Sequence, residues 1–263
     1  MDLGLKDRAA IVAASSQGLG KAVALALARE GAKLAMCSRR ANAIESAGEE
    51  IRRATGVEVL ARAADVTRPD DVRRLVAETL ERFGRIDICV TNAGGQPSKT
   101  FAETTPEDWA AAVDLNLLSV VHLARQVLPI MCKQRWGRLL AITSVAVKQP
   151  IDGLILSNSV RSAVSGLVKS LANEYGKDNV TVNNVCPGYT RTARLNELAG
   201  RLAKGEGVAL EQAEERWTRQ IPLGRLAEPE EFANVVAFLA SERASYITGA
   251  SIAVDGGLIK GIH

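Results

Sequence analysis

Short apolar runs, rich in Val, Ile, Leu and Ala, alternate with stretches of helical period along nearly the whole chain. The runs at 8–14, 33–38, 57–63, 86–91, 138–143, 180–186 and 251–254 have strand length and alternate with helical patterns, which is the signature of βαβ units and a parallel sheet. Between them the apolar positions recur every three to four residues. In 70–83, Val72, Leu75, Val76, Thr79, Leu80 and Phe83 share one face, Asp71, Arg73, Arg74 and Glu78 fall elsewhere, and Gly84 supplies the stop. A further helix opens at Thr105 as cap, with Pro106 at the first helical position and Glu107 and Asp108 in the first turn. Its apolar pattern continues to about Gln134, with a kink expected at Pro129.

Strand and helix patterns that alternate from end to end predict an α/β fold: a doubly wound, seven-stranded parallel sheet of Rossmann type, forming one dinucleotide-binding domain over 1–263. No repeat, low-complexity tract or linker divides the chain. Residues 194–220 break the alternation, because Gly200, Gly205 and Gly207 interrupt a charged, helix-prone insertion after the sixth strand. In such a sheet an insertion there lies beyond the carboxyl ends of the strands, so 194–220 is expected to be a substrate lid.

Composition narrows the partners. An apolar fraction of 47% supports a sizeable core. The 33 basic residues barely exceed the 30 acidic ones, and no block of like charge appears, so neither a nucleic-acid stripe nor a polybasic membrane anchor is expected. The start of the sequence lacks an apolar segment of signal-peptide length, and no later run reaches 18 uncharged apolar residues. The expectation is a cytoplasmic protein whose partner is a small molecule. Cys37, Cys89, Cys132 and Cys186 lie far apart and mostly inside apolar runs, which predicts reduced, buried thiols and neither a disulfide framework nor a metal site. Of the two histidines, His122 sits within an apolar helix and His263 is the last residue.

The first strand runs into Ser15-Ser16-Gln17-Gly18-Leu19-Gly20 and then an Ala-rich helix. A glycine turn feeding a helix N-terminus presents backbone N–H groups and a positive dipole end to a diphosphate. The group that ends the second strand decides between the two nicotinamide dinucleotides, since an acid there would bond the ribose hydroxyls of NAD and repel a 2′-phosphate. Here that place holds Ser38, followed by Arg39 and Arg40, a hydroxyl beside two guanidiniums suited to the phosphate of NADP.

The turn with Ser16, Gly18, Leu19 and Gly20 resembles that of the short-chain dehydrogenase/reductases, and the likeness extends along nearly the whole chain. Asp65-Val66 resembles the family's adenine contact, Asn92-Ala93-Gly94 its Asn-Ala-Gly motif, and Asn116, Ser144, Pro187-Gly188 and Thr192 its further site positions. Tyr246-Ile247-Thr248-Gly249 and Asp255-Gly256-Gly257 are family-like as well. The branch it is most similar to is that of the 3-oxoacyl-carrier-protein reductases, which implies NADP as cofactor and a homotetramer packed partly through helix 157–175 and the last strand. The turn departs from the pattern at Ala13-Ala14, where the family has Thr-Gly. A methyl group at Ala14 is compatible with phosphate binding if the backbone keeps a negative φ there.

The resemblance also implies a catalytic Tyr thirteen residues after the Ser and a Lys four residues later, on one helix face. This chain has Ser157 and Arg161 at those places, in unchanged register with Gly166-Leu167-Val168-Lys169. An aliphatic hydroxyl is far too weak an acid to replace a phenol. Arg161 can still bond the nicotinamide ribose or stabilise an oxyanion. Lys148, Asp152 and Tyr189 are the nearby candidates for the missing proton donor, whereas Lys169 reads as a solvated charge. The catalytic set is therefore Asn116, Ser144, Ser157 and Arg161. The expected function is NADP(H)-dependent hydride transfer to or from a carbonyl or a carbonyl-conjugated double bond. The alternative is an NADP(H)-binding sensor or partner subunit without turnover. A likeness to the halohydrin dehalogenases is disfavoured, since they require the Tyr and lack the glycine turn.

Overall fold

The computed structural model describes residues 1–207 and 209–262. Seven parallel strands, β1 (Ala9–Val12), β2 (Lys33–Ser38), β3 (Val59–Ala63), β4 (Ile88–Thr91), β5 (Gly137–Ile142), β6 (Val180–Pro187) and β7 (Ser251–Val254), form one sheet in the order β3-β2-β1-β4-β5-β6-β7. Each expected strand is present, and β2 and β7 have the expected limits. The order reverses between β1 and β4, which opens a crevice at their carboxyl ends where a doubly wound sheet takes its ligand.

Alternation along β1 shows why the strand reads as continuously apolar. Ala10 and Val12 enter the core beneath α1 (Gly18–Arg29), α2 (Ala41–Thr55) and α9 (Pro229–Ala240). Ile11 and Ala13 enter the core on the other face, beneath α3 (Pro69–Phe83), α5 (Ser119–Gln134) and α6 (Ile155–Tyr175). Both faces of β1 are covered, so each of its positions is apolar. Burial of each Val or Ile there contributes about 1.5–3 kcal/mol. Helix α3 buries Val72, Leu75, Val76 and Thr79 as its period requires, and Gly84 ends it in the left-handed conformation at φ 72°.

The helix expected from Thr105 to Gln134 is present over Pro106–Gln134, as α4 (Pro106–Val113) and α5 joined through a π turn. Thr105 caps α4 by accepting from the Asp108 N–H at 3.3 Å. The helix widens at a π turn, Asp114–Leu118, and α5 carries Pro129 within its length. Widened turns of this kind cluster at functional sites, and this one holds Asn116. The span Pro106–Gln134 is long and apolar enough to cross a membrane, yet Leu123, Val127 and Met131 are buried against the sheet, as in the core helix of an α/β domain.

The insertion after β6 forms α7 (Ala193–Glu206) and α8 (Leu210–Thr218); Val208 lies outside the described residues. Leu195, Ala199, Trp217, Ile221, Leu226 and Leu258 give these helices a small core of their own beside the carboxyl ends of the strands.

Candidate active site

A cleft of about 670 Å³ runs along the carboxyl edge of the sheet. One end is lined by Ser38, Arg39, Arg40, Asp65 and Val66. The middle is lined by Ser16, Gly18, Leu19, Asn92, Ala93 and Gly94, and faces Pro187, Gly188 and Thr192. Ser144, Ser157 and Arg161 line the far end. The sequence-derived residues therefore fall on one surface, with two exceptions. Gly20 and Asn116 do not line the cleft.

Gly20 is needed for another reason. A Cβ there would press into the Ala14 carbonyl oxygen and lie 2.9 Å from Asn92 Nδ2, so α1 can approach β1 and β4 only with glycine at this position. Asn116 is buried behind the wall. Its Nδ2 donates to Gly94 O at 3.2 Å and its Oδ1 accepts from Gln96 Nε2 at 3.1 Å, so it fixes the loop after β4. It is a positioning residue in this geometry.

The turn corrects the expectation for Ala14, whose φ is +47° and not negative. Residue 14 is held there by its neighbours: Ala13 N–H donates to Val90 O in β4 and Ser15 N–H to Cys37 O in β2, both at 3.0 Å. The Ser15 hydroxyl also donates to Val12 O at 2.8 Å. After this turn α1 begins at Gly18, its N-cap residue Gln17 making no side-chain cap and its first turn holding no acid, which leaves the first N–H groups for a ligand.

At the Ser38 end, among the described residues, neither Arg39 nor Arg40 forms an ion pair, although 17 pairs join other charged side chains. Asp65 is fixed in place, its Oδ1 accepting from Thr67 N–H at 3.0 Å while its own N–H donates to Asp71 at 2.9 Å. Asp71 carried no sequence signal beyond its place on a helix face.

At the far end Ser144 accepts from the Ala146 N–H at 3.1 Å, which leaves its hydroxyl proton free to donate into the cleft. Arg161 is buried. Its Nη1 donates to Thr143 O at 3.0 Å and Ile142 O at 3.3 Å, and its Nη2 to Gly94 O at 3.4 Å. Burial, and then the neighbouring Arg194 charge, lowers its pKa to about 10, still well above neutrality. The chemistry available is a fixed cation and hydroxyl donors around a concave surface.

Of the three candidate proton donors only Tyr189 lines the cleft. Its ring stacks on Trp217 with centroids 4.9 Å apart, and burial, reinforced by Asp152, raises its pKa and keeps the phenol protonated. Lys148 and Asp152 lie off the cleft surface, Lys169 is exposed, and His122 does not line the cleft but approaches the carbonyl of Val66 at 3.3 Å. Gln96 and Arg194, which sequence reasoning passed over, both line the cleft, and Arg194 Nη2 donates to Gln96 O.

Residues 13–259 match the protein family described as enoyl-(acyl carrier protein) reductase. A 3-oxoacyl-[acyl-carrier-protein] reductase of Synechocystis is 36% identical over 257 residues, covering 97% of this chain and 98% of the relative. One from Staphylococcus epidermidis is 34% identical, covering 96% and 99%. Among solved structures, L-sorbose reductase from Gluconobacter frateurii, complexed with NADPH and L-sorbose, superposes with a TM-score of 0.95 at 33% identity and full coverage of both chains. An actinorhodin polyketide ketoreductase with NADPH gives 0.92 at 31% identity, covering 97% of this chain and 98% of that one.

Proposed function

Because the chain belongs to the short-chain dehydrogenase/reductase family, we propose that it is an NADP(H)-dependent reductase of carbonyl compounds, carbonyl-conjugated double bonds included. One observation carries this reading: a single cleft joins the unpaired Arg39 and Arg40, the open N-terminus of α1 and the cluster Ser144, Ser157 and Arg161. The relatives are reductases and dehydrogenases, and nothing among them supports a binding protein without turnover.

The residues fit the cofactor. Arg39 and Arg40 would hold the 2′-phosphate that an acid at Ser38 would repel, Asp65 and Val66 would flank the adenine, and Gly18, Leu19 and Thr192 would take the diphosphate. Asn92, Ala93, Gly94, Pro187 and Gly188 would line the nicotinamide half, beside Arg161. When bound, NADPH supplies the hydride. Ser144 then donates a hydrogen bond to the substrate oxygen, Arg161 offsets the negative charge that develops there, and Ser157 shapes the pocket without acting as an acid. Among the described residues Tyr189 is the one phenol in the cleft and the nearest source of the final proton. Helices α7 and α8 act as the substrate lid over 194–220. The working unit is a cytoplasmic homotetramer formed partly through α6 and β7.

The test follows from the absent phenol. The double variant Ser157→Tyr plus Arg161→Lys should raise NADPH oxidation with β-ketoacyl thioesters by about 10²–10⁴-fold over the parent, the worth of a positioned general acid. Absence of any gain, with NADPH binding intact, would place the acid elsewhere in the cleft. A parent that neither binds NADPH nor consumes it with ketones, enones or enoyl thioesters would refute the reductase reading.

A further inference from the structure

The far end of the cleft carries more positive charge than the chain neutralises. Among the described residues no carboxylate pairs with the buried Arg161, whose partners are three backbone carbonyls. A second guanidinium, Arg194 at the start of α7, meets the same loop one residue on: Arg161 Nη2 donates to Gly94 O, and Arg194 lies across Gly95. Arg194 has a shaped seat: its side chain crosses Gly95 so closely that a Cβ there would lie 2.7 Å from Nε. Its Nη2 donates to Gln96 O, and its Nη1 reaches Glu197 at 3.3 Å, a carboxylate 63% exposed to solvent. The one acid that lines the cleft, Asp65, stands at the opposite end and is already bonded to Thr67.

Two guanidiniums held beside one another at the end of a cleft, one of them buried without a counter-ion, are stable together only at a cost that an anion would offset. We propose that Arg161 and Arg194 form an anion subsite and that the substrate is an oxo acid, whose carboxylate they bind while its carbonyl oxygen meets Ser144. This rests on the reductase reading and names the substrate class for the same site. The cofactor's diphosphate is the other oxyanion that enters the cleft, so the test separates the two sources.

The experiment is calorimetric titration of the NADP⁺-saturated protein, where the oxidised cofactor cannot reduce the probe and binding is read without turnover. The probes are 2-oxobutanoate, 2-oxohexanoate and 4-oxopentanoate, each against its methyl ester. The acids should bind at least about tenfold more tightly than their esters, as expected for a charge-assisted contact. Arg194→Met should erase that ratio while NADPH affinity stays within about twofold of the parent, and Arg161→Lys, which keeps the charge, should preserve it. Acids and esters that bind alike, or no binding by either, overturn the proposal. So does an Arg194→Met protein that loses NADPH affinity and keeps the ratio, because Arg194 then serves the diphosphate. Rapid reduction of esters and acids at equal rates would overturn the oxo-acid subsite and leave the reductase reading standing.

Discussion

Ala14 offers a measurement of how much local strain the cofactor turn holds. An L-residue in the left-handed region costs roughly 1–2 kcal/mol, and Ala14 sits there at φ +47° because the hydrogen bonds of Ala13 to β4 and Ser15 to β2 leave the chain no other path. Replacement by glycine removes that strain but loosens the unfolded chain, which costs about 0.4–1 kcal/mol. The difference is a net gain of about 0.5–1 kcal/mol, since the methyl group faces the cleft and little packing is lost with it. For a domain of this size that corresponds to a rise in Tm of about 1–4 °C. Urea denaturation and calorimetric melting of Ala14→Gly measure both quantities. Ala14→Val should fall by about 1–3 kcal/mol, because a β-branched side chain tolerates this region least. Ala13→Gly is the control: Ala13 is fully buried and outside the left-handed region, so glycine there should destabilise. If Ala14→Gly destabilises as Ala13→Gly does, the turn is not held in the left-handed conformation in solution and the reasoning fails.

Three further outcomes follow from the same geometry. Arg39→Ala should weaken NADPH by roughly tenfold or more and leave NADH nearly unchanged, since one charge-assisted pair is worth about 1.5–3 kcal/mol; equal cofactor affinities in the parent would remove the basis for this, and fluorescence titration decides. Gly20→Ala should cost about 1–3 kcal/mol of stability and weaken NADPH in the same titration, because the added Cβ pushes α1 away from Ala14 and Asn92. Burial raises the pKa of all four thiols, that of Cys37 to about 12, but Cys132 alone among them is partly exposed, so a thiol reagent at pH 8 should label Cys132 first in the native protein and all four after denaturation; early loss of Cys37 would contradict the buried sheet.

The sheet was legible because burial on both faces leaves a strong mark: a strand such as 33–38 has no room for polar alternation, and its limits coincide with those of β2. The line of the cleft was legible for a related reason. Gly18, Asn92-Ala93-Gly94 and Pro187-Gly188 stand at or just past strand ends, and a parallel sheet brings all its carboxyl ends to one edge. What stayed hidden depends on contacts between segments distant in sequence. The φ of Ala14 is set by Val90 and Cys37, distant in sequence, which hold the residues on either side of it. The π turn at Asp114–Leu118 interrupts a stretch whose local preferences are helical throughout, and the contacts that accompany it are those of Asn116 with Gly94 and Gln96. Arg194 read as one more helical charge, because only the fold lays it across Gly95.

The exchange at 157 and 161 need not end turnover, and the magnitudes say why. Loss of a positioned acid removes about 10²–10⁴ in rate. A fixed charge aimed at the oxygen that becomes negative is worth a comparable factor, about 10²–10³ when a single oxyanion donor is removed. Arg161 meets the requirements for that role, because its carbonyl contacts with Ile142, Thr143 and Gly94 hold the guanidinium rigid and its pKa of about 10 keeps it charged at neutrality. Lysine at 161 would suit a neighbouring phenol whose proton must move; an arginine that never gives up its proton suits a site in which the charge on oxygen is held until another donor, Tyr189 or water, relieves it. Such a site favours substrates whose developing negative charge is already spread or already matched, such as enones and oxo acids, over simple ketones. On the proposed reading, the exchange that would weaken ordinary ketone reduction would also select the chemistry that remains.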